Sequence, residues 1–302
     1  MSAAATTSPA TTRPWWAFIA LVSLIFAAAA GPVAIRFAQL AGLPSVFIIA
    51  ARLTLASGLM APFVWRWHRP ALQTLSLRDW GWALLAGSFH AGSLLLLFFS
   101  LENTSVLVNG VLRRTSPLWV LLLEILVLHT VFNRRVWAGV GLTLVGTIVV
   151  GLGSSSGGSA GARPLLGAVL ALLTAFVSAG YLVVGRRIRT QLPFLPYSWI
   201  VFTAAALIGW LIVLFRQVPV TGYGWSGFGW ILLVTLLTQI LGHIPMNAAL
   251  HHFTATFVSV STQVAVILGA IFAFFLLAEV PTMLQIAGSL VILVGILLVI
   301  KR

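Results

Sequence analysis

The residues best suited to chemistry are polar ones held within apolar stretches. Arg113 lies inside the stretch Ser105 to Leu128, where an arginine near a helix centre costs about 2.5–3.5 kcal/mol unless it is paired or hydrated. Its planar fork can grip a carboxylate through two parallel hydrogen bonds; alternatively it reaches outer water or braces neighbouring carbonyls. Glu102, Asn109, Arg113 and Ser116 stand on one helical face at intervals of seven, four and three. Other stripes at helical spacing are His90 with Ser93, Thr174 with Ser178 and Tyr181, Thr235 with Gln239 and His243, and Thr256 with Ser259 and Gln263. Such groups suit hydrogen-bonded capture of a polar solute, because a polar group facing lipid unpaired costs several kcal/mol.

Secondary candidates each carry two readings. His90 and His243 could exchange protons near neutral pH or serve as hydrogen-bonded packing residues. Arg52, nearer the outer end of its stretch, braces helices, snorkels or meets a solute. Glu124 forms an ion pair with basic loops or takes part in proton coupling. Phe26 and Tyr181 offer apolar contact to a bound side chain or pack the bundle. The His251–His252 pair has no second cluster of ligand residues to make a metal site. No metal and no cofactor is expected.

The elements that must hold these residues are membrane helices. The chain has 302 residues, is 60% hydrophobic and 7% charged, and has a mean hydropathy of +1.10, far from a soluble domain. The net charge of +13 is dispersed between apolar runs, which argues against nucleic-acid binding. There is no cysteine, hence no disulfide or thiol chemistry. Arg13 before an apolar stretch imitates a secretory signal, but that stretch continues to Ile35 and many more spans follow. Met1 to Thr12, rich in Ala, Ser and Thr, is expected to be disordered.

Stretches near 20 residues predict ten spans: Trp15 to Arg36, Ser45 to Trp65, Trp80 to Ser100, Ser105 to Leu128, Val136 to Gly153, Leu165 to Gly185, Tyr197 to Phe215, Phe228 to Ala248, Thr254 to Leu277 and Met283 to Ile300. With the N-terminus inside, Arg13, Arg66, Arg69, Arg78, Arg134, Arg135, Arg186, Arg187, Arg189, Lys301 and Arg302 are cytoplasmic. Only Arg36, Arg163 and Arg216 fall outside. Cytoplasmic loops retain Arg and Lys, so both termini are assigned to the cytoplasmic side of a cell (inner) membrane. Trp15, Trp16, Trp65, Trp67, Trp80, Trp82, Trp225 and Trp230 cluster at span ends as interfacial anchors.

The sequence also divides in the middle. GSSSGGSAG, residues 153–161, has linker composition, so residues 1–153 and 165–302 are expected to form two five-helix halves joined by residues 154–164. Gly139 and Gly146 align with Gly288 and Gly295 at an offset of 149 residues, and the same shift places Ala30-Gly31 on Ala179-Gly180, Leu101 on Leu250 and His90 on Gln239. Five spans per half is an odd number, so the second copy enters from the other side and the repeat is inverted. The stretch AAAAGP, Ala27 to Pro32, suits a hinge or close helix packing.

AGVGLTLVG and AGSLVILVG in the last span of each half, Arg52 within FIIAARLTLA and Pro117 within RRTSPLWVLLLE resemble the EamA-type transporters of the drug/metabolite transporter superfamily. The aromatic and neutral amino acid exporters are the most similar branch. The resemblance implies an all-α integral membrane fold of ten transmembrane helices in two inverted five-helix repeats, with a central cavity that passes amino acids or similar metabolites outward. Two departures stand out: Glu279 at the start of the last helix matches Thr130 in the first half, and Pro117 matches Val266, so the second half is expected to lack that kink.

The function expected is a secondary exporter or facilitator working by alternating access, with His90, Asn109, Arg113, Ser116, Tyr181, Gln239, His243, Ser259, Gln263 and Phe26 at the substrate site. The partners are a small-molecule substrate and the lipid bilayer, with a proton left open as coupling ion. A channel, or an exporter of other metabolites or drugs, is the alternative. An enzyme is not expected, since four acidic residues spread over the chain give no paired carboxylates or metal motif. No GxxxxGK[ST] motif occurs to bind ATP.

Overall fold

Proline and polar caps decide where many of the helices begin. Pro44 and Pro193, 149 residues apart, both stand in extended geometry (φ −64°, ψ 136° and φ −54°, ψ 150°) immediately before a helix. The pyrrolidine ring fixes φ and lacks the N–H that a first helical turn would leave unpaired. Ser76 and Asp79 form a reciprocal cap: the Asp79 N–H donates to Ser76 Oγ at 3.2 Å and the Ser76 N–H to Asp79 Oδ2 at 3.1 Å.

The computed structural model describes residues 14–103, 109, 112–153, 163–188, 192–277 and 282–300. Every regular element among them is helical. The first half contributes α1 (Trp15–Leu40), α2 (Ser45–Trp67), the short α3 (Arg69–Gln73), α4 (Leu77–Asn103), α5 (Ser116–Leu128) and α6 (Arg134–Gly153). After the central segment come α7 (Pro164–Ile188), α8 (Phe194–Phe215) and α9 (Gly224–Thr235). A π-helical segment (Leu236–His243) carries α9 into α10 (Ile244–Ala249), followed by α11 (Ala255–Ser261), α12 (Val264–Leu277) and α13 (Met283–Ile300). The expectations for Met1 to Thr12, Arg13, the linker residues 154–162, Arg189, Glu279, Lys301 and Arg302 lie outside the described residues.

Among the described residues, five stretches are long and apolar enough to cross a membrane: Ser45–Trp67, Leu77–Leu97, Leu165–Ile188, Phe194–Phe215 and Gly224–Ala249. Trp15–Gly31, Ser116–Leu128 and Ile286–Val299 are shorter apolar helices. Two expected spans are interrupted, which corrects their reading as continuous helices. The fourth turns at Arg114–Thr115 before α5, and the ninth turns at Thr262–Gln263 between α11 and α12. The second half therefore breaks where the first does, although Val266 replaces Pro117. Threonine does the work in both places: Thr115 Oγ1 donates to Leu112 O at 2.7 Å and Thr262 Oγ1 to Ser259 O at 2.6 Å, a local bond that competes with the helical ladder.

Packing follows the 149-residue relation. α2 packs on α8, α6 on α13, α4 on α7, and α1 on α9 and the π segment. At Gly139 an added Cβ would lie 2.6 Å from Gly295 O, and at Gly146 it would lie 2.7 Å from Gly288 O. Neither position has room for a side chain, and the crossed pairing requires α6 and α13 to run antiparallel. The same reciprocity recurs where Gly31 meets Thr238 Cγ2 (3.0 Å to an added Cβ) and Gly180 meets the Phe89 ring (3.1 Å). Arg114 and Gln263, themselves 149 residues apart, bond to each other: Gln263 Nε2 donates to Arg114 O at 3.0 Å and Arg114 Nη1 to Gln263 Oε1 at 3.5 Å.

Candidate functional site

Four rings from four helical segments converge in the interior. His90 of α4 lies 4.6 Å from His243 at the end of the π segment, 4.9 Å from Tyr181 of α7 and 6.0 Å from Phe202 of α8, centroid to centroid. His90 is 2% exposed and Tyr181 3%. The π segment positions His243 through its Nδ1, which donates to Thr238 O at 2.7 Å. That bond leaves Nε2 of a neutral imidazole as an acceptor. A π turn recurs at functional sites because it redirects side chains within an otherwise continuous helix. Here Ser23 of α1 supports it, donating from Oγ to Leu241 O at 2.7 Å.

Polar groups border the rings. The Tyr181 hydroxyl donates to Asn247 Oδ1 at 2.9 Å, and Asn247 Nδ2 donates to Ser198 Oγ at 2.8 Å, joining α7, α10 and α8. Arg52 of α2 is 4% exposed; its Nη1 reaches Thr238 Oγ1 at a long 3.5 Å, and its Nε has no partner among the described residues. Gln239, one turn before His243 and completely buried, has neither amide atom hydrogen-bonded among those residues, and His90 Nε2 is likewise unpaired. Unpaired buried polar atoms are costly, and four of those atoms belong to Arg52, His90 and Gln239.

The other residues read from the sequence lie elsewhere. Asn109 donates through Nδ2 to Ser100 Oγ at 2.7 Å, which in turn donates to Gly167 O at 2.7 Å; it ties α4 to α7. Gln263 is engaged by Arg114, Ser259 is buried in α11, and half-buried Ser116 opens α5. Arg113 has a buried Nε with no partner among the described residues, and no contact draws it to the ring cluster. Phe26 is 45% exposed, edge-on to Phe272 at 5.8 Å, in an apolar groove of about 360 Å³ shared with Phe37 and Trp230. The Glu102 side chain is outside the described ones.

Sequence reasoning missed Asn247, Ser198 and Phe202 and assigned Arg52 mainly to bracing. Asn247 carried a legible signal, because it extends the Thr235, Gln239, His243 stripe by one more interval of four. Glu124 resolves into a structural anchor. Fully buried, it pairs with Arg186 and accepts from the N–H groups of Ala255 (2.9 Å) and Thr256 (2.8 Å) and from Thr256 Oγ1 (2.6 Å), holding the N-terminus of α11 where the helix dipole favours an anion.

Comparison with known proteins adds to this geometry. The model of the EamA-like transporter family matches residues 14–152 and 165–301. The chain is 27% identical over 257 residues to the uncharacterized transporter sll1164 of Synechocystis sp. (strain ATCC 27184 / PCC 6803 / Kazusa), covering 78% of this chain and 68% of that protein. It is 25% identical over 195 residues to the uncharacterized transporter sll1319 of the same organism, covering 65% of this chain and 59% of that protein. A protein of known crystal structure superposes with a TM-score of 0.77 over 95% of this chain and 96% of its own, at 17% identity. That last likeness is one of fold.

Proposed function

Since this chain belongs to the EamA-like transporter family, a family of small-molecule transporters rather than enzymes, we propose that it is a secondary exporter or facilitator of amino acids or similar metabolites. The observation that carries this reading is the buried cluster to which both matched segments contribute, Arg52 and His90 from the first and Tyr181, Phe202, Gln239 and His243 from the second. A site between two halves is opened to one side and then the other when the halves rock.

The transporter is a multi-pass membrane protein of ten helices in two inverted repeats, residues 1–153 and 165–302, with both termini in the cytoplasm. Reciprocal contacts at the 149-residue offset support the inversion: the glycines of α6 and α13 face each other crosswise and antiparallel. His90, Tyr181, Gln239 and His243 line the substrate site. Ser116, Asn109, Ser259 and Gln263 flank it from the break region and its neighbours, Arg113 stands apart from it, and Phe26 meets lipid at its flank. Polar rings beside an apolar wall fit neutral and aromatic amino acids.

Liposomes loaded with labelled amino acids test this. Efflux of a substrate amino acid accelerates when the same amino acid is present outside, as a carrier requires and a channel does not. Gln239→Ala inserts normally and loses at least 90% of the flux, roughly the effect of removing one good charged or polar contact at a site. Flux in Gln239→Ala equal to the parent, or no flux of any amino acid, refutes the assignment.

A further inference from the structure

Arg52 has no carboxylate partner among the described residues. Among the described carboxylates, Asp79 closes the cap at Ser76 and Glu124 is taken by Arg186 and the amides of α11. Glu102 stands twelve residues beyond His90 on α4, about 18 Å along the helix axis at 1.5 Å per residue. The guanidinium is buried near His90 and His243, with one long bond to a threonine hydroxyl among the described residues. A buried cation without an anion is unfavourable by several kcal/mol, and structures retain one where a ligand supplies the missing charge.

Resting on the transporter assignment above, we propose that Arg52 is the specificity-determining residue of the substrate site. It recognises a carboxylate on the solute, with the Gln239 amide as a second donor. Sequence spacing had pointed to Arg113 for this role, but Arg113 is not joined to the rings, whereas Arg52 reaches the residue that also holds His243. One guanidinium matches the single charge of a carboxylate; a phosphate, carrying about −1.5 to −2, calls for more cations than the cluster holds. Gln239 Oε1 and the Tyr181–Asn247 pair offer neutral acceptors to an ammonium group, so a zwitterion is admitted on the strength of its carboxylate. A lipophilic cation is excluded, because nothing described in the cluster is negative.

The test uses the purified full-length protein in detergent with four probes: L-phenylalanine, 3-phenylpropionate (no ammonium), phenylalaninamide (no carboxylate) and tetraphenylphosphonium. The first two bind; the amide binds roughly tenfold to a hundredfold more weakly, the range of a charge-assisted hydrogen bond; the phosphonium does not bind. Arg52→Gln removes the preference for 3-phenylpropionate over the amide, Arg52→Lys restores part of it, and Arg113→Gln leaves it unchanged. Equal binding of amide and carboxylate by the parent protein overturns the proposal without recourse to any variant. So does a preference that survives Arg52→Gln or disappears in Arg113→Gln. The flux assay separates the two ideas: amino-acid flux without Arg52-dependent preference leaves the transporter reading intact, while 3-phenylpropionate binding without amino-acid flux keeps the carboxylate site and discards amino acids as cargo.

Discussion

Glu124 shows how little a residue's type says about its use inside a membrane protein. A buried carboxylate on an apolar helix invites a proton-coupling role, yet four donors surround this one: the Arg186 guanidinium, two backbone amides and the Thr256 hydroxyl. Removing one partner of such an arrangement leaves the other charge buried and costs about 3–5 kcal/mol. Glu124→Gln is therefore expected to lower the apparent melting temperature in detergent sharply, while solute affinity per folded molecule stays within a factor of two; a variant as stable as the parent would contradict the anchoring role. Sequence composition gave the polar positions but not their partners. His90, Tyr181, Gln239 and His243 were readable as polar positions at helical spacing, and the repeat offset matches His90 with Gln239. Ser198 and Phe202 were not, and Arg52 only as one reading of three, since their importance comes from contacts between helices far apart in the chain, such as the Arg52 contact 186 residues away.

Among the elements, the closest approach is that of α6 to α13. Gly139, Gly146 and Gly295 each leave less than 3 Å for a Cβ against backbone of the partner helix, so the two helices touch main chain to main chain and gain van der Waals contact where lipid supplies no hydrophobic drive. Gly146→Ala should cost about 1–3 kcal/mol by overpacking, and Gly146→Leu should prevent correct assembly. Gly141, whose Cβ would meet nothing within 4 Å, should accept alanine without loss; thermal unfolding of the three variants checks the contrast. Helix positions were legible from apolar length alone. The interruptions at Arg114–Thr115 and Thr262–Gln263 were not, because hydropathy is insensitive to a threonine hydroxyl that satisfies a carbonyl three residues back. The π segment was equally hidden, and the serine of α1 that bonds to Leu241 O within it lies 218 residues away in the chain.

At the scale of the whole molecule, the positive residues of the loops and the duplicated helices make one prediction about sidedness. Because the chain has no cysteine, single cysteines report cleanly. Ser76→Cys and Arg135→Cys should react with a membrane-impermeant maleimide only in inverted vesicles, and Val220→Cys only in intact cells. The opposite pattern, or a mixed one for Ser76 and Arg135, would exclude a cytoplasmic N-terminus. Fold class and duplication could be read from charge, length and the 149-residue offset. The interior site could be read only in outline, as the symmetry that reveals the halves hides where they differ.

That difference has a directional consequence. A perfectly duplicated chamber would offer a bound solute two equivalent poses, head to one half or head to the other. The position 149 residues after Arg52 is Val201, completely buried, so the repeat puts a guanidinium in one half and an aliphatic side chain at the matching place in the other. With Arg52 as the carboxylate contact proposed above, an unsymmetrical solute enters with its polar end toward a single wall, and every passage through the bilayer begins from the same pose.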